Sequence, residues 1–215
     1  MITCRDKLFH LSAPDCSYLL RVTPFGHLES VHFGDPVPDA AAALLAHKQS
    51  APVGSAVVYD SADPAYSLDT LPLEWSGIGR GDYRHSPAEI KMPDGTFVCD
   101  FIYHSHSVSD GPMPMPGMPG AIGEPADCQT LSIKLEDEAA GASLMLYYTI
   151  YPGCSVITRR AELRNNHDKP LVIRRLMSMM LDLPDRGFSL ISLHGGWIRE
   201  GNRRSEEHTS ELQSR

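Results

Sequence analysis

QTLSIKLED (Gln129–Asp137) sets Leu131, Ile133 and Leu135 between Thr130, Ser132, Lys134 and Glu136. Alternation with period two lines the three apolar side chains along one face of a strand and the polar ones along the other. Directly downstream, Ala140 and Gly141 mark a turn, and SLMLYYTIY (Ser143–Tyr151) alternates Leu144, Leu146, Tyr148 and Ile150 with Met145, Tyr147, Thr149 and Tyr151. Both faces of this second strand are largely apolar, which predicts cover on both sides.

The same reading extends outward. CSVITRRAELRN (Cys154–Asn165), a turn over Asn165–Lys169, PLVIRRLMSMMLDL (Pro170–Leu183) and FSLISLHGGWIRE (Phe188–Glu200) are rich in β-branched residues and bounded by Asn, Asp, Gly or Pro. They read as consecutive antiparallel strands. Towards the start, SYLLRVTPFGHLESVHFG (Ser17–Gly34) gives two more strands around a turn at Pro24–Gly26. Only Pro38–His47 reads as helix, with Asp39 as its N-cap. The fold class is therefore all-β and antiparallel, with one short helix.

Two stretches read as loops. Asp110–Asp127 (DGPMPMPGMPGAIGEPAD) holds five prolines, which cannot donate ladder hydrogen bonds and exclude a central strand. Ala51–Pro87 is irregular and rich in Gly, Asp, Ser and Pro. Loops of this length within a domain are more often functional than idle.

Composition narrows the function. The 215 residues carry 19 Lys and Arg against 27 Asp and Glu, a formal charge of −8, which repels phosphate backbones and anionic membranes. Neither nucleic acid nor a membrane is an expected partner. Five cysteines, Cys4, Cys16, Cys99, Cys128 and Cys154, are odd in number and form no CxxC pair. Neither a disulfide framework nor a zinc cluster is indicated, and no cofactor or metal is expected. With no basic start and apolar run at MITCRDKLFHLS, the expected location is the cytoplasm.

Several motifs invite sharper readings. GIGRGD (Gly77–Asp82) has the glycines of a phosphate loop, but no Lys with Ser or Thr follows, so a tight turn positioning Asp82 and Arg84 is the reading it supports. His104 and His106, two apart, would share one face of a strand without a third ligand in spacing, which favours ordinary hydrogen bonding. His194 is read as lying at a strand end. Met113, Met115 and Met118 belong to a loop packed on a protein surface. Arg159, Arg160, Arg164, Arg174 and Arg175 are interleaved with acids and form a solvated or salt-bridged face.

Five separated segments in order carry a family likeness: LFHLSAPDCSYLLRVTPFGHLESVHFG, DTLPLEWSGIGRGDYRHSP, QTLSIKLED, LYYTIYPGCSVITRRAEL and MLDLPDRGFSLISLHGGWIRE. Together, from about Leu8 to Arg203, they resemble the N-terminal domain of glycoside hydrolase family 36 α-galactosidases. The resemblance implies a large two-sheet β-sandwich, and a parent enzyme that removes terminal α-linked galactose from oligosaccharides such as melibiose and raffinose. Retaining chemistry of that kind uses two carboxyl groups about 5–5.5 Å apart, which the family places in a downstream barrel. No residue of this chain is expected to be catalytic, and the chain alone is expected to be inactive.

The resemblance also implies a homo-oligomer, a tetramer in some members, in which a loop of this domain reaches a neighbouring subunit's active-site mouth. Ala51–Arg84 is the candidate loop, with Asp60, Asp69, Asp82 and Arg84 as hydrogen-bonding groups and Tyr59, Tyr66 and Trp75 as stacking groups for a sugar. Residues 1–203 are read as the domain. RSEEHTSELQS (Arg204–Ser214) matches the translation of a sequencing adapter, so 204–215 is read as an artefactual tail. A free-standing carbohydrate-binding sandwich and a mutarotase-like sugar epimerase are the competing functions, separable by calorimetry with galactosides and by polarimetry on galactose.

Overall fold

A computed structural model describes residues 1–47, 54, 57–183, 187, 189–198 and 200–207. The chain divides into a unit over Met1–Asp182 and a second over Leu183–Arg215. The first unit is built on two four-stranded antiparallel meanders.

The first meander runs β1 (Ile2–Arg5), β2 (Leu8–Ser12), β3 (Ser17–Val22) and β4 (Leu28–Gly34), paired in sequence order. The turn between β3 and β4 lies at Pro24–Gly26 as the sequence indicates, with Thr23 N–H donating to His27 O and Gly26 at φ +89°. The hairpin of β1 and β2 has no sequence signal, because its turn places Asp6 and Lys7, not Asn-Gly, at φ 48° and 62°. Beyond β4, Ser30 N–H bonds Pro72 O and Glu74 N–H bonds Leu28 O, so residues 72–74 extend this sheet at its edge.

The second meander runs β6 (Ile102–Asp110), β7 (Gln129–Asp137), β8 (Ala142–Tyr151) and β9 (Val156–Asn165). Leu131, Ile133 and Leu135 of β7 are fully buried, and they join Leu144, Leu146, Tyr148 and Ile150 of β8 in one core with Phe9, Leu11, Tyr18 and Leu20 of the first sheet. The two sheets face each other across this core, which makes the sandwich. Burying each large apolar side chain contributes about 1.5–3 kcal/mol.

β8 is covered on its other face too, as its composition requires: Tyr147 and Thr149 are buried. The cover is the proline–methionine loop of the same chain, which bonds through Gly111 O to Thr130 Oγ1 and through Pro114 O to Arg160 Nη1.

Three expectations need correction. The strand after β9 does not continue the meander. β10 (Val172–Leu176) leaves β9 and pairs with β5 (Ala88–Lys91) in a separate two-stranded sheet, matching Ile173 with the fully buried Ile90. The helix α1 (Asp39–Leu45) is capped by Pro38, not Asp39. Asp39 instead accepts from Thr3 Oγ1 at 3.1 Å and pairs with His10 Nδ1 at 2.5 Å, fastening the helix to β1 and β2. The alternation in β6 breaks at a bulge between Tyr103 and Ser105, so His104 and His106 do not form the regular same-face pair.

In the second unit, β11 (Ser189–His194) pairs with β12 (Asn202–Glu207). His194, at the end of β11, meets Ser192 Oγ at 2.9 Å. β12 runs through residues 204–207 of the proposed tail, and 208–215 lie outside the described residues. No helix among the described residues is long and apolar enough to cross a membrane.

Candidate functional site

Residues 57–87 contain no regular element beyond a short 3-10 turn at Leu68–Thr70. Residues 51–53, 55 and 56 of the candidate loop lie outside the described residues. What orders the described part is a small core of its own. Tyr66, Leu68 and Leu73 are buried together, with Phe25, Tyr59, Leu71 and Met180 packed around them.

Arg84 is the tie that closes the loop. Its Nη2 donates to Leu68 O at 2.8 Å and Asp82 Oδ2 at 2.9 Å, its Nη1 to Leu71 O at 2.5 Å and Asp182 Oδ2 at 2.6 Å. Asp82 is buried and takes a second bond from Arg84 Nε at 2.9 Å, a two-point geometry that guanidinium and carboxylate planes share. Burial by itself would push the Asp82 carboxyl up, but the Arg84 guanidinium and the Ser76 hydroxyl hold it below the usual carboxylate range. Burial likewise opposes the charge on Arg84, and Asp82 and Asp182 raise it.

The glycines of GIGRGD serve packing. A side chain at Gly77 would put a Cβ 2.3 Å from Cys99 O, and one at Gly79, at φ +91°, would meet Val98 at 2.7 Å. The loop can therefore lie flat on Val98 and Cys99, where Cys99 N–H bonds Ile78 O.

A second tie is Asp100. Its Oδ1 meets His27 Nε2 at 3.0 Å, and its Oδ2 accepts from Tyr59 OH at 2.8 Å and pairs with Arg80 Nε at 3.0 Å. His27 continues through Nδ1 to Tyr66 OH, which also bonds Thr23 Oγ1 at 2.6 Å. Burial pushes the Tyr66 phenol up to about 12, and it pushes Tyr59 upward too.

At the base of the loop sits a fully internal charge. Glu74, buried, accepts from Tyr18 OH, from Tyr148 OH at 2.9 Å and from Arg159 Nη2 at 2.7 Å. The Arg159 guanidinium also lies 5.0 Å from the Tyr148 ring and donates to Met180 O. Sequence reasoning placed Arg159 on a salt-bridged or solvated face. It is salt-bridged, but inside the core. The signal was present: Ile157, Arg159, Ala161 and Leu163 share the inward face by period two.

The seven sequence-derived candidates for sugar contact fall into two groups. Trp75 belongs to the main core, and Asp82 and Arg84 direct their polar atoms at each other and at the loop backbone. Tyr59 and Tyr66 are engaged in the same way, with Arg80 stacked 4.8 Å from the Tyr59 ring. Asp60 closes a local turn through Ala62 N–H, and Asp69 is exposed and accepts from Tyr83 N–H at 3.1 Å. The exposed rim also includes Tyr83, 75% accessible, and the half-open Arg80, both of which the sequence reading passed over.

Comparison with known proteins places this architecture. The model of the glycosyl hydrolase family 36 N-terminal domain matches residues 26–215. Alpha-galactosidase AgaA of Geobacillus stearothermophilus is 32% identical over 197 residues, which cover 91% of this chain and 27% of that protein. Alpha-galactosidase Mel36A of Lactobacillus acidophilus is 32% identical over 198 residues, with the same coverage of 91% and 27%. The solved galactosidase domain of the alpha-galactosidase–sucrose kinase AgaSK matches with a TM-score of 0.89 at 27% identity, over 96% of this chain and 29% of that one. A variant of AgaA solved in complex with raffinose matches with a TM-score of 0.87 at 30% identity, over 94% of this chain and 28% of that one. The chain thus spans about a quarter of the length of the curated relatives it matches. By its match to the family model the chain belongs to the glycosyl hydrolase family 36 N-terminal domain family.

Proposed function

We propose that the polypeptide carrying this domain is an α-galactosidase that releases terminal α-linked galactose from oligosaccharides of the melibiose and raffinose type. The domain supports the catalytic part, takes part in oligomer assembly and offers the rim of residues 57–84 to an active-site mouth. The relatives' names and the raffinose and stachyose complexes of AgaA support the substrate class.

The observation that carries the role of the loop is its construction. Arg84 and Asp100 fix its interior, while at its exposed rim the Tyr83 N–H donates to the Asp69 carboxylate and holds the two together. A rigid frame with a carboxylate and an aromatic ring facing outward suits a hydroxylated ring with one apolar face.

The test uses the longer protein that carries this domain. It should hydrolyse raffinose, and Asp69→Ala with Tyr83→Ala should raise KM several-fold with kcat little changed, the mark of lost ground-state binding. No hydrolysis, or unaltered KM, would count against the reading. The 215-residue chain alone should release no chromophore from a chromogenic α-galactoside.

A further inference from the structure

We infer that the free edge of β6 docks against the same edge of a second copy of this chain, paired antiparallel about Val108. β6 is the outermost strand of its sheet, with β7 on its inner side. Gly111 N–H bonds Cys128 O, so the antiparallel ladder turns the backbone groups of residues 109, 107 and 105 towards β7. By the same alternation His106, Val108 and Asp110 direct their N–H and C=O groups outward. Among the described residues no other backbone group meets them. The open stretch has defined limits. At one end Tyr103 N–H is taken by Gly26 O, and at the other the chain leaves the strand at Gly111, φ +86°.

The other edges of the two meanders are guarded. Residues 72–74 lie along β4, β1 is only four residues long, and β9 carries Arg160, Glu162 and Arg164. Between Ser105 and Asp110, β6 has neither proline nor lysine, and its bulge lies before Ser105.

The side chains of this edge are complementary to themselves. His106, Val108 and Asp110 share one face, beside Ile133, Leu131 and Gln129 of β7. When Val108 meets Val108 of a second copy, His106 stands opposite that copy's Asp110 and Asp110 opposite its His106. Such facing pairs stabilise an antiparallel ladder. Both groups are held ready for it. The His106 ring rests edge-on against Phe9 at 4.8 Å with Nδ1 2.7 Å from Tyr103 OH, and a phenol donating there leaves the ring proton on Nε2. Asp110 Oδ1 accepts from Gln129 Nε2 at 3.1 Å. Among the described residues His106 Nε2 and Asp110 Oδ2 have no partner. Val108 is 40% exposed although its ladder neighbour Leu131 is fully buried, an apolar gap that a second Val108 covers. Pairing of like edges about a two-fold axis joins two four-stranded sheets into one and leaves no open strand at the seam. The inference rests on the assembly role proposed above, for which it supplies the surface, and not on the hydrolytic activity.

The test is sedimentation equilibrium of the full chain over a concentration series. A monomer–dimer equilibrium is expected, and Val108→Pro should weaken it about tenfold, as losing the central backbone bonds of the seam implies. Because Val108 N–H points away from β7, proline there blocks the second copy and leaves the intramolecular ladder in place, which an unchanged unfolding midpoint of the monomer checks. His106→Asp sets Asp against Asp110, and Asp110→His sets His against His106, so each alone should associate less than the unsubstituted chain. An equimolar mixture of these two variants should regain dimer, because each His then meets an Asp across the seam. Misfolded variants would not rescue each other. A monomer at every concentration, association untouched by Val108→Pro, or a mixture no more dimeric than its components would each overturn the inference. Hydrolysis of raffinose is read separately, so none of these results decides the proposed activity.

Discussion

Two of the ion pairs that hold the loop of residues 57–84 differ in kind. Asp82 and Arg84 are two residues apart, and their pair forms wherever the turn forms. Glu74 and Arg159 are 85 residues apart and meet only after the sandwich has closed around them. The outer pair organises backbone, since Arg84 also binds the carbonyls of Leu68 and Leu71. The inner pair is enclosed by Tyr18 and Tyr148, so its charges have exchanged water for two phenols and each other. A charge buried this way need not add net stability, yet removing one partner leaves the other stranded.

Breaking the inner pair should therefore have the largest effect. Arg159→Met strands the Glu74 carboxylate and should cost about 3–5 kcal/mol, read by denaturant unfolding of the chain. Adding Glu74→Gln, which keeps an acceptor for the two tyrosines, should recover more than half of that loss. A double variant no better than the single one would show that the pair matters through geometry and not through charge. Arg84→Ala should cost less, about 1.5–3 kcal/mol, and its signature is local: faster amide exchange at 68–84 with little change around β7 and β8. An equally fast exchange in β7 would mean that the two ties are one cooperative unit.

Titration separates the pairs by sign. Burial, with the Glu74 charge behind it, holds the Tyr148 phenol well above its ordinary 10.0, so its contribution is complete below that pH and is lost as pH rises past it. The Asp82 carboxyl is held below its ordinary 3.8, so its contribution is present above that value and is lost as pH falls through the folded-state value. Alkali should loosen the inner cluster first and acid the outer tie first. Tyr148→Phe should blunt the alkaline loss and Asp82→Asn the acid loss, each checked by unfolding midpoints across pH. The smallest effect should come from Arg164→Ala. Its bond to Glu162 on the solvent face is screened, and no measurable change in the unfolding midpoint is expected.

The same contrast explains what could be read in advance. The alternation in QTLSIKLED and the doubly apolar SLMLYYTIY are local patterns, and both strands form with the expected faces inward. The turn at Ala140 and Gly141 was legible because Gly141 adopts φ +57°. The β1–β2 hairpin was hidden because Asp6 and Lys7 take conformations that their residue types do not advertise. The partnership of β10 with β5 was hidden because either edge could satisfy the same apolar residues, and only the position of Ile90 in the core decides between them.

For the candidate site, the motif DTLPLEWSGIGRGDYR was recognised, but the roles of its members were not. Trp75 looked like a platform for sugar and lies in the core, whereas Tyr83, four residues after Gly79 and its tight approach to Val98, carries the exposed ring. Composition cannot tell the two aromatics apart, since burial is a property of what the rest of the chain puts on top of a residue.

By itself, then, the sequence determined the strand faces, the β3–β4 and β7–β8 turns, and the family, because period-two patterning and turn chemistry act between neighbours. Tertiary structure alone decided that Arg159 points at Glu74, that Asp100 gathers His27, Tyr59 and Arg80, and that the proline–methionine loop closes over Tyr151. Each of these joins groups far apart in the chain, and their pairing is chosen by which polar atoms the closed core leaves without water.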